Sequence, residues 1–391
     1  MGKYRVALIH NIIAPYRVPL FDALSKHPSI DLTVFFCAKT HKMRKWDILD
    51  EGTYTHEVLP GVAFEYKTLT YHVNPSIVWH LIRGRYDVVV IGGTTNFTMQ
   101  AAFLISKLRG IKIVLWSERF KKPETLLGRI LNPVNIFIAK NAQALIVPGK
   151  ASRDYHANIP VQPEIIFVAP NIVDNGLFCK TCLQFRKDVK TLKESLNIYA
   201  DKIILFVGRL DRAPNKGVAY LIKAFRRLKE LSKHVNVHLV IVGDGDLRDK
   251  LEQMLVPDLI DDVHFTGWQF GKSLIRYYAA ADVFVLPTLQ DLCPLVLNEA
   301  MACSLPVVST TAAGCARDMI VDGENGFIVE PRNVDALYEA IRRIVQDDEL
   351  RQTMGKKSYE TVSTYFSIDR AVNGWLKAIQ FACQGASNKS H

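Results

Sequence analysis

Ala281-Asp-Val-Phe-Val-Leu-Pro-Thr-Leu-Gln-Asp-Leu-Cys-Pro-Leu-Val-Leu-Asn-Glu-Ala-Met-Ala-Cys303 joins a short apolar run to a helix opened by Pro294. Asp291 lies in the connection and Glu299 lies eight residues further on, among Leu295, Val296, Leu297, Ala300 and Met301. The run Val283 to Leu286 reads as a strand buried on both faces, and proline suits the first turn of the helix that follows. A helix that is apolar on most sides is buried, so its glutamate needs a polar partner. An anion at the helix N-terminus would meet unpaired N–H groups and the positive end of the dipole, and this makes a phosphorylated ligand the natural guest.

The same strand-and-helix unit recurs along the chain. Val6 to Ile9, Leu32 to Cys37, Val88 to Ile91, Ile111 to Trp116 and Ala144 to Val147 are short runs rich in branched residues, separated by helix-length segments. That alternation predicts a parallel sheet covered on both faces. It restarts at Ile203 to Val207 and continues through His238 to Val242, Val263 to Thr266, Val283 to Leu286, Val307 to Ser309 and Phe327 to Val329. The fold class is therefore α/β with two Rossmann-like doubly wound domains, and a ligand is expected at the carboxyl ends of the strands, in a central cleft. Gly176 to Tyr199 loses the strand rhythm and is crowded with lysine, placing the boundary near residue 180. The expected division is 1–180, 181–367 and a tail of 368–391, helical from Ile368 to Ala382 and disordered from Gly385.

The 391 residues, 49% of them hydrophobic, suffice for two cores. Of the formal charge of +10, residues 1 to 180 carry most, with 22 Lys/Arg against 13 Asp/Glu. These charges are scattered and no RNA-binding aromatic motif accompanies them, which argues against nucleic acid and leaves anionic lipid or a phosphorylated acceptor. No apolar run reaches the roughly 18 residues of a membrane span. Met-Gly-Lys-Tyr-Arg leads straight into strand-like Val6 instead of a signal peptide, so a cytoplasmic location with peripheral membrane contact is expected. Leu126 to Ala142, with Arg129 and Lys140 among its apolar residues, is compatible with either such contact or core packing. The seven cysteines are dispersed, and Cys179 and Cys182 read as an incidental surface pair in a linker.

The segment around Asp291 and Glu299 resembles the Glu-x7-Glu signature of the retaining nucleotide-sugar glycosyltransferases of family 4, in the GT-B class. Further marks follow in chain order: Phe206-Val-Gly-Arg-Leu210 with Lys216-Gly217, Val242-Gly-Asp-Gly245, Phe265-Thr-Gly267, Tyr277 to Asp282, and Asp322-Gly-Glu-Asn-Gly326. Pro170-Asn-Ile-Val-Asp174 is similar to the family's interdomain segment, and Ala14-Pro-Tyr-Arg17 looks like the opening of one subgroup. The resemblance implies transfer of a sugar from a nucleoside diphosphate sugar to a hydroxyl of a glycan or lipid-linked glycan, with retention and without a metal or other cofactor. A sugar-nucleotide epimerase or hydrolase, or a non-catalytic nucleotide-sugar sensor, are the alternatives on this fold.

By this resemblance Arg209 and Lys216 neutralise the donor diphosphate, Glu299 holds the ribose diol, and Asp291 lies against the donor sugar. Gly208, Gly243 and Gly245 let backbone approach the nucleotide, and Leu295 and Val296 open the helix beneath it. Asp291 is one methylene shorter than the family's glutamate, and its alternative is a capping role. Pro294 and Ser304 stand where relatives usually carry glycine, and Lys216 follows Leu210 at a longer spacing than is common. Trp268 and Phe270 would border the base or simply pack. Asp244-Gly-Asp246 follows a strand and is assigned to a turn, not to a metal. On the acceptor side Tyr16 and Arg17 follow the first strand, with Arg17 able to clamp an anion. His10 ends that strand as a base or structural group, and Glu118 substitutes for the histidine that many relatives place after the strand ending at Trp116.

Overall fold

The computed structural model describes residues 2–40, 52–66, 69–122, 126–212, 216–232 and 235–384. The chain divides into two compact units, 1–173 with 368–391, and 174–367. The expected disorder from Gly385 onward lies outside the described residues.

The first unit contains β1 (Tyr4–Ile12), β2 (Ile30–Ala38), β3 (Thr55–Val58), β4 (Val62–Tyr66), β5 (Leu69–Val73), β6 (Val88–Gly92), β7 (Lys112–Trp116), β8 (Ala144–Val147) and β9 (Ile166–Val168). Seven of them form one parallel sheet in the order β3-β2-β1-β6-β7-β8-β9, and β4 and β5 pair as an antiparallel hairpin. Successive residues of β1 enter different cores. Val6 and Leu8 pack on one face of the sheet, Ala7 and Ile9 on the other, as the two-residue period of a strand requires. The first face is covered by the helix Val18–Lys26 and by the C-terminal helix Ile368–Gln384, whose Ala371, Trp375, Ala378, Ile379 and Ala382 are buried. Trp375 meets Trp116 edge to face at 5.0 Å between ring centroids.

The second unit contains β10 (Lys202–Val207), β11 (Val237–Val242), β12 (Val263–Gly267), β13 (Val283–Leu286), β14 (Val307–Thr310) and β15 (Gly326–Val329). They form a parallel sheet in the order β12-β11-β10-β13-β14-β15. This is the doubly wound order whose reversal point lies between the first and fourth strands, here β10 and β13.

Gly176 to Tyr199 is not a linker. It holds the helices Asn175–Phe185 and Val189–Ser195, and Cys182, Leu192 and Ile198 join the second unit's core, so the division falls at 173/174 instead of near 180. Lys180 and Lys190 are exposed on these helices, Lys193 donates to the Ala200 and Asp201 carbonyls, and a helix needs only one apolar stripe to dock. Cys182 is accordingly buried, not a surface thiol.

Candidate donor and acceptor sites

In the second unit the loops after β10 and β11 are zipped together. Gly208 N–H donates to the Val242 carbonyl at 3.0 Å and Leu210 N–H to the Asp244 carbonyl at 2.9 Å, while Gly243 N–H ties the second loop to the end of β12 through the Gly267 carbonyl at 2.8 Å. Gly243 has φ +133°, and a Cβ there would lie 2.0 Å from the Gly208 carbonyl oxygen; one at Gly245 would lie 2.5 Å from the Leu210 carbonyl carbon. Side chains are thus excluded where the two loops meet, which keeps backbone accessible at the strand ends. Gly217, at φ +74°, approaches the end of β13 just as closely, with a Cβ falling 1.9 Å from the Pro287 carbonyl oxygen.

Those approaches bring Lys216 beside Gly208 and across to the connection after β13. Its ammonium forms an ion pair with the Asp291 carboxylate, and both side chains are largely shielded. Asp291 is therefore not a cap. The helix Leu295–Ala302 starts after Pro294 with no side-chain cap, while the Asp291 backbone is stitched to the loop after β14 by its N–H to Ala312 (3.1 Å) and its carbonyl to Gly314 (3.0 Å). Arg209 pairs instead with Asp211, 2.8 Å away. Leu295 and Val296 are the first two helical residues, the positions whose N–H groups have no intrahelical acceptor.

Glu299 sits one turn further along. Burial pushes its carboxyl up to about 7, while the hydroxyl of Tyr278, donating at 2.8 Å, pulls it partly back. Tyr278 is fully buried on the helix Gly271–Ala280, and nothing in its local sequence marks it as the partner. Trp268 and Phe270 stack on each other at 6.2 Å, with planes 8° apart. Asp244 accepts from the Gly245 N–H and faces Arg248, and Asp246 accepts from the Arg212 N–H.

In the first unit Arg17, Glu118 and Asn171 converge from positions more than 50 residues apart. Arg17 forms a buried ion pair with Glu118 and donates to Asn171 Oδ1 at 2.6 Å, and Asn171 Nδ2 donates to Glu118 at 2.8 Å. The guanidinium lies between aromatic rings, 4.3 Å from Trp116 and 5.0 Å from Tyr16. Burial would raise the Glu118 carboxyl, but Arg17 and Asn171 together hold it below its ordinary value. His10 packs against Trp116, Phe21 and Phe36, its Nδ1 3.1 Å from the Ile12 carbonyl. Burial, aided by the charge of Arg17, drops it to about 4, which makes it a weak base at neutral pH. Ser117, also after β7, contacts His156 Nε2 at 3.0 Å, a residue unmarked in the sequence.

Residues 201–347, within the second unit, match the family described as Glycosyl transferases group 1. The chain is 32% identical over 194 residues to an uncharacterized glycosyltransferase of Methanocaldococcus jannaschii, covering 49% of this chain and 48% of that one. It is 34% identical over 159 residues to the Campylobacter jejuni N-acetylgalactosamine-N,N'-diacetylbacillosaminyl-diphospho-undecaprenol 4-alpha-N-acetylgalactosaminyltransferase, covering 40% and 41%. The matched stretch thus spans about half the length of such curated relatives. In fold the whole chain is similar to HepE of Anabaena, solved in complex with UDP, with a TM-score of 0.77, 18% identity and coverage of 96% of this chain and 99% of that one. The fold is GT-B.

Proposed function

We propose that this protein is a glycosyltransferase that moves a hexosyl group from a nucleoside diphosphate sugar to a hydroxyl of a glycan or lipid-linked glycan, with retention of configuration. The observation that carries the reading is the Lys216–Asp291 ion pair at the reversal point of the second sheet, with Glu299 beyond it on the helix Leu295–Ala302. A ribose diol donates to the Glu299 carboxylate. Arg209 and Lys216 neutralise the diphosphate, and their attraction strengthens as charge moves onto the departing nucleoside diphosphate, so they act on the transition state more than on the bound donor. Asp291, drawn from Lys216 toward the sugar, offsets positive charge developing at the anomeric carbon. The acceptor enters on the face the diphosphate leaves and gives its proton to that diphosphate, which preserves configuration without a covalent sugar-enzyme intermediate. UDP bound in HepE supports a nucleotide ligand, and the undecaprenol-linked substrate named for the Campylobacter relative supports a lipid-linked acceptor.

Two cations at the diphosphate replace a divalent metal in this scheme, and the engagement of Asp244 and Asp246 with Gly245, Arg248 and Arg212 supports it. The protein works in the cytoplasm, against the inner face of the membrane, through the cationic first unit. Among the described residues no helix is long and apolar enough to cross a membrane. A thermal-shift screen against nucleotide sugars identifies the donor, since a ligand at a hundred times its Kd stabilises by about 2.7 kcal/mol. Product analysis with that donor then tests the reaction. Transfer with an unchanged anomeric coupling constant, undiminished by excess chelator, is expected; free sugar or epimer as the product, an inverted anomer, or rescue by added magnesium would each remove the matching part of the proposal.

A further inference from the structure

The loop after β10 holds a carboxylate to which the reaction scheme gives no task. Asp211 lies two residues beyond Arg209, and its Oδ2 is 2.8 Å from the guanidinium Nη1, with more than three-quarters of each side chain shielded from solvent. Hydrogen bonds fix the residue on both sides. Leu210 N–H donates to the Asp244 carbonyl at 2.9 Å, the Leu210 carbonyl accepts from Leu247 N–H at 2.8 Å, and Arg212 N–H donates to Asp246 Oδ1 at 2.9 Å. Gly245 makes room for the carboxylate, since a Cβ there would stand 2.6 Å from Asp211 Oδ1. The neighbouring carboxylates face other cations, Asp244 toward Arg248 and Asp246 toward Arg212. Lys216, the second cation assigned to the diphosphate, is paired with Asp291. Each of the two cations is thus matched by one carboxylate, and the four formal charges cancel. Asp291 has a part to play against the sugar, whereas Asp211 meets only the cation that the diphosphate needs.

We infer that Asp211 is a positioning residue that competes with the diphosphate for Arg209. It holds the guanidinium before the donor binds, yields it to the donor, and recaptures it as the nucleoside diphosphate leaves. This rests on the donor site proposed above. The competition has a defined sign. A partly shielded ion pair of this kind favours the paired arrangement by up to about fivefold, and apparent affinity is reduced by the fraction of protein whose guanidinium is already released. Asp211 therefore weakens diphosphate binding by about that factor and speeds departure of the product. Release is the step that needs such help. The leaving nucleoside diphosphate carries one more negative charge than the diphosphate of the donor, so the same two cations hold it harder. A carboxylate two residues away offers Arg209 a second partner with little motion of the chain.

The test is calorimetry on the full chain with two probes, inorganic pyrophosphate and UDP, the nucleotide bound in HepE. Asp211→Asn and Asp211→Ser should each tighten both probes about fivefold, with UDP dissociation slowed by a similar factor in stopped-flow displacement. Asp211→Glu keeps the charge and should return both values to within about twofold of wild type. In an Arg209→Met background, Asp211→Asn should change affinity by less than about twofold, because the carboxylate then has no guanidinium to withhold. Unchanged or weakened binding in both neutral variants, with their thermal unfolding intact, overturns the proposal. So does a gain of equal size without Arg209, which would make Asp211 a general repulsive charge. If neither probe binds wild type or the neutral variants, the donor-site reading falls and this inference falls with it. Binding that is lost in Arg209→Met yet indifferent to Asp211 leaves the donor site standing and removes only the competition.

Discussion

Glu299 is ionised only above the pH to which burial has raised its carboxyl, about 7. Its folded value lies above the unfolded one, so its contribution to stability is complete below the ordinary glutamate range and is lost as pH rises through about 7. Donor binding runs the other way, because a ribose diol needs the carboxylate. Calorimetry between pH 5.5 and 8 should show affinity falling below pH 7 by up to tenfold per unit, with the dependence gone in Glu299→Gln. Tyr278→Phe removes the hydrogen bond that favours the charged form, so its midpoint should move to higher pH; an unmoved midpoint would mean that another group titrates. Asp291→Asn should leave donor affinity within a few-fold while lowering kcat about a hundredfold, the mark of a group that acts on the transition state. Equal losses in kcat and affinity would return Asp291 to ordinary binding. The Glu299 position was legible because a lone carboxylate in an apolar helix must be doing something polar. Its partner Tyr278 was not, since a tyrosine on another helix has no sequence pattern that aims it. The Arg17, Glu118 and Asn171 network was equally hidden, because only the tertiary fold brings together residues 53 to 154 apart. Removing one side of that buried pair, as in Arg17→Met, should cost about 3–5 kcal/mol by leaving Glu118 uncompensated; a change under 1 kcal/mol in urea unfolding would show Arg17 to be dispensable to the fold.

At the scale of elements, the positions that most constrain the donor site are glycines. Gly243→Ala sets a methyl group against the Gly208 carbonyl from a backbone conformation that side chains avoid. A loss of about 2–4 kcal/mol is expected, read as a lower urea midpoint at unchanged slope. A midpoint matching wild type would show that the two loops can part without cost. Parallel strands buried on both faces announce themselves as continuous apolar runs, and the ends of those expected lie within three residues of the observed ones. The missed elements lack that signal. β3 and the β4–β5 hairpin lie at or outside the sheet edge with exposed residues such as Val62 and Phe64, and β9 has only three residues. The linker reading of Gly176 to Tyr199 failed for a related reason: its two helices bury only Thr181, Cys182 and Leu192, too few to mark an apolar stripe in the sequence. The C-terminal helix is the opposite case, with six buried residues on one stripe. Trp375→Ala should therefore cost the first unit roughly 3–5 kcal/mol, measurable as a shift confined to one transition in differential scanning calorimetry.

At the scale of the whole molecule, charge is separated by unit. Residues 1–173 with 368–391 carry a net +11 by formal count, and residues 174–367 carry −1. The same first unit carries exposed apolar side chains on the helix Leu126–Asn141, where Ile130, Val134 and Phe137 recur at one-turn spacing with Arg129 and Lys140 exposed beside them. An apolar stripe flanked by cations is the pattern of a helix that lies in a lipid interface, where burial of the stripe and attraction to anionic headgroups add. The two contributions separate by experiment. Raising salt screens the second within about a Debye length and leaves the first. Sedimentation with vesicles containing anionic lipid should therefore show binding at low ionic strength that weakens as salt is added. Ile130→Ser with Phe137→Ser should reduce binding at every salt concentration without changing its slope. Arg129→Gln with Lys140→Gln should flatten the slope instead. Equal binding of all three proteins would move the contact to another face of the unit, and no binding at low salt would leave a soluble glycan as the acceptor.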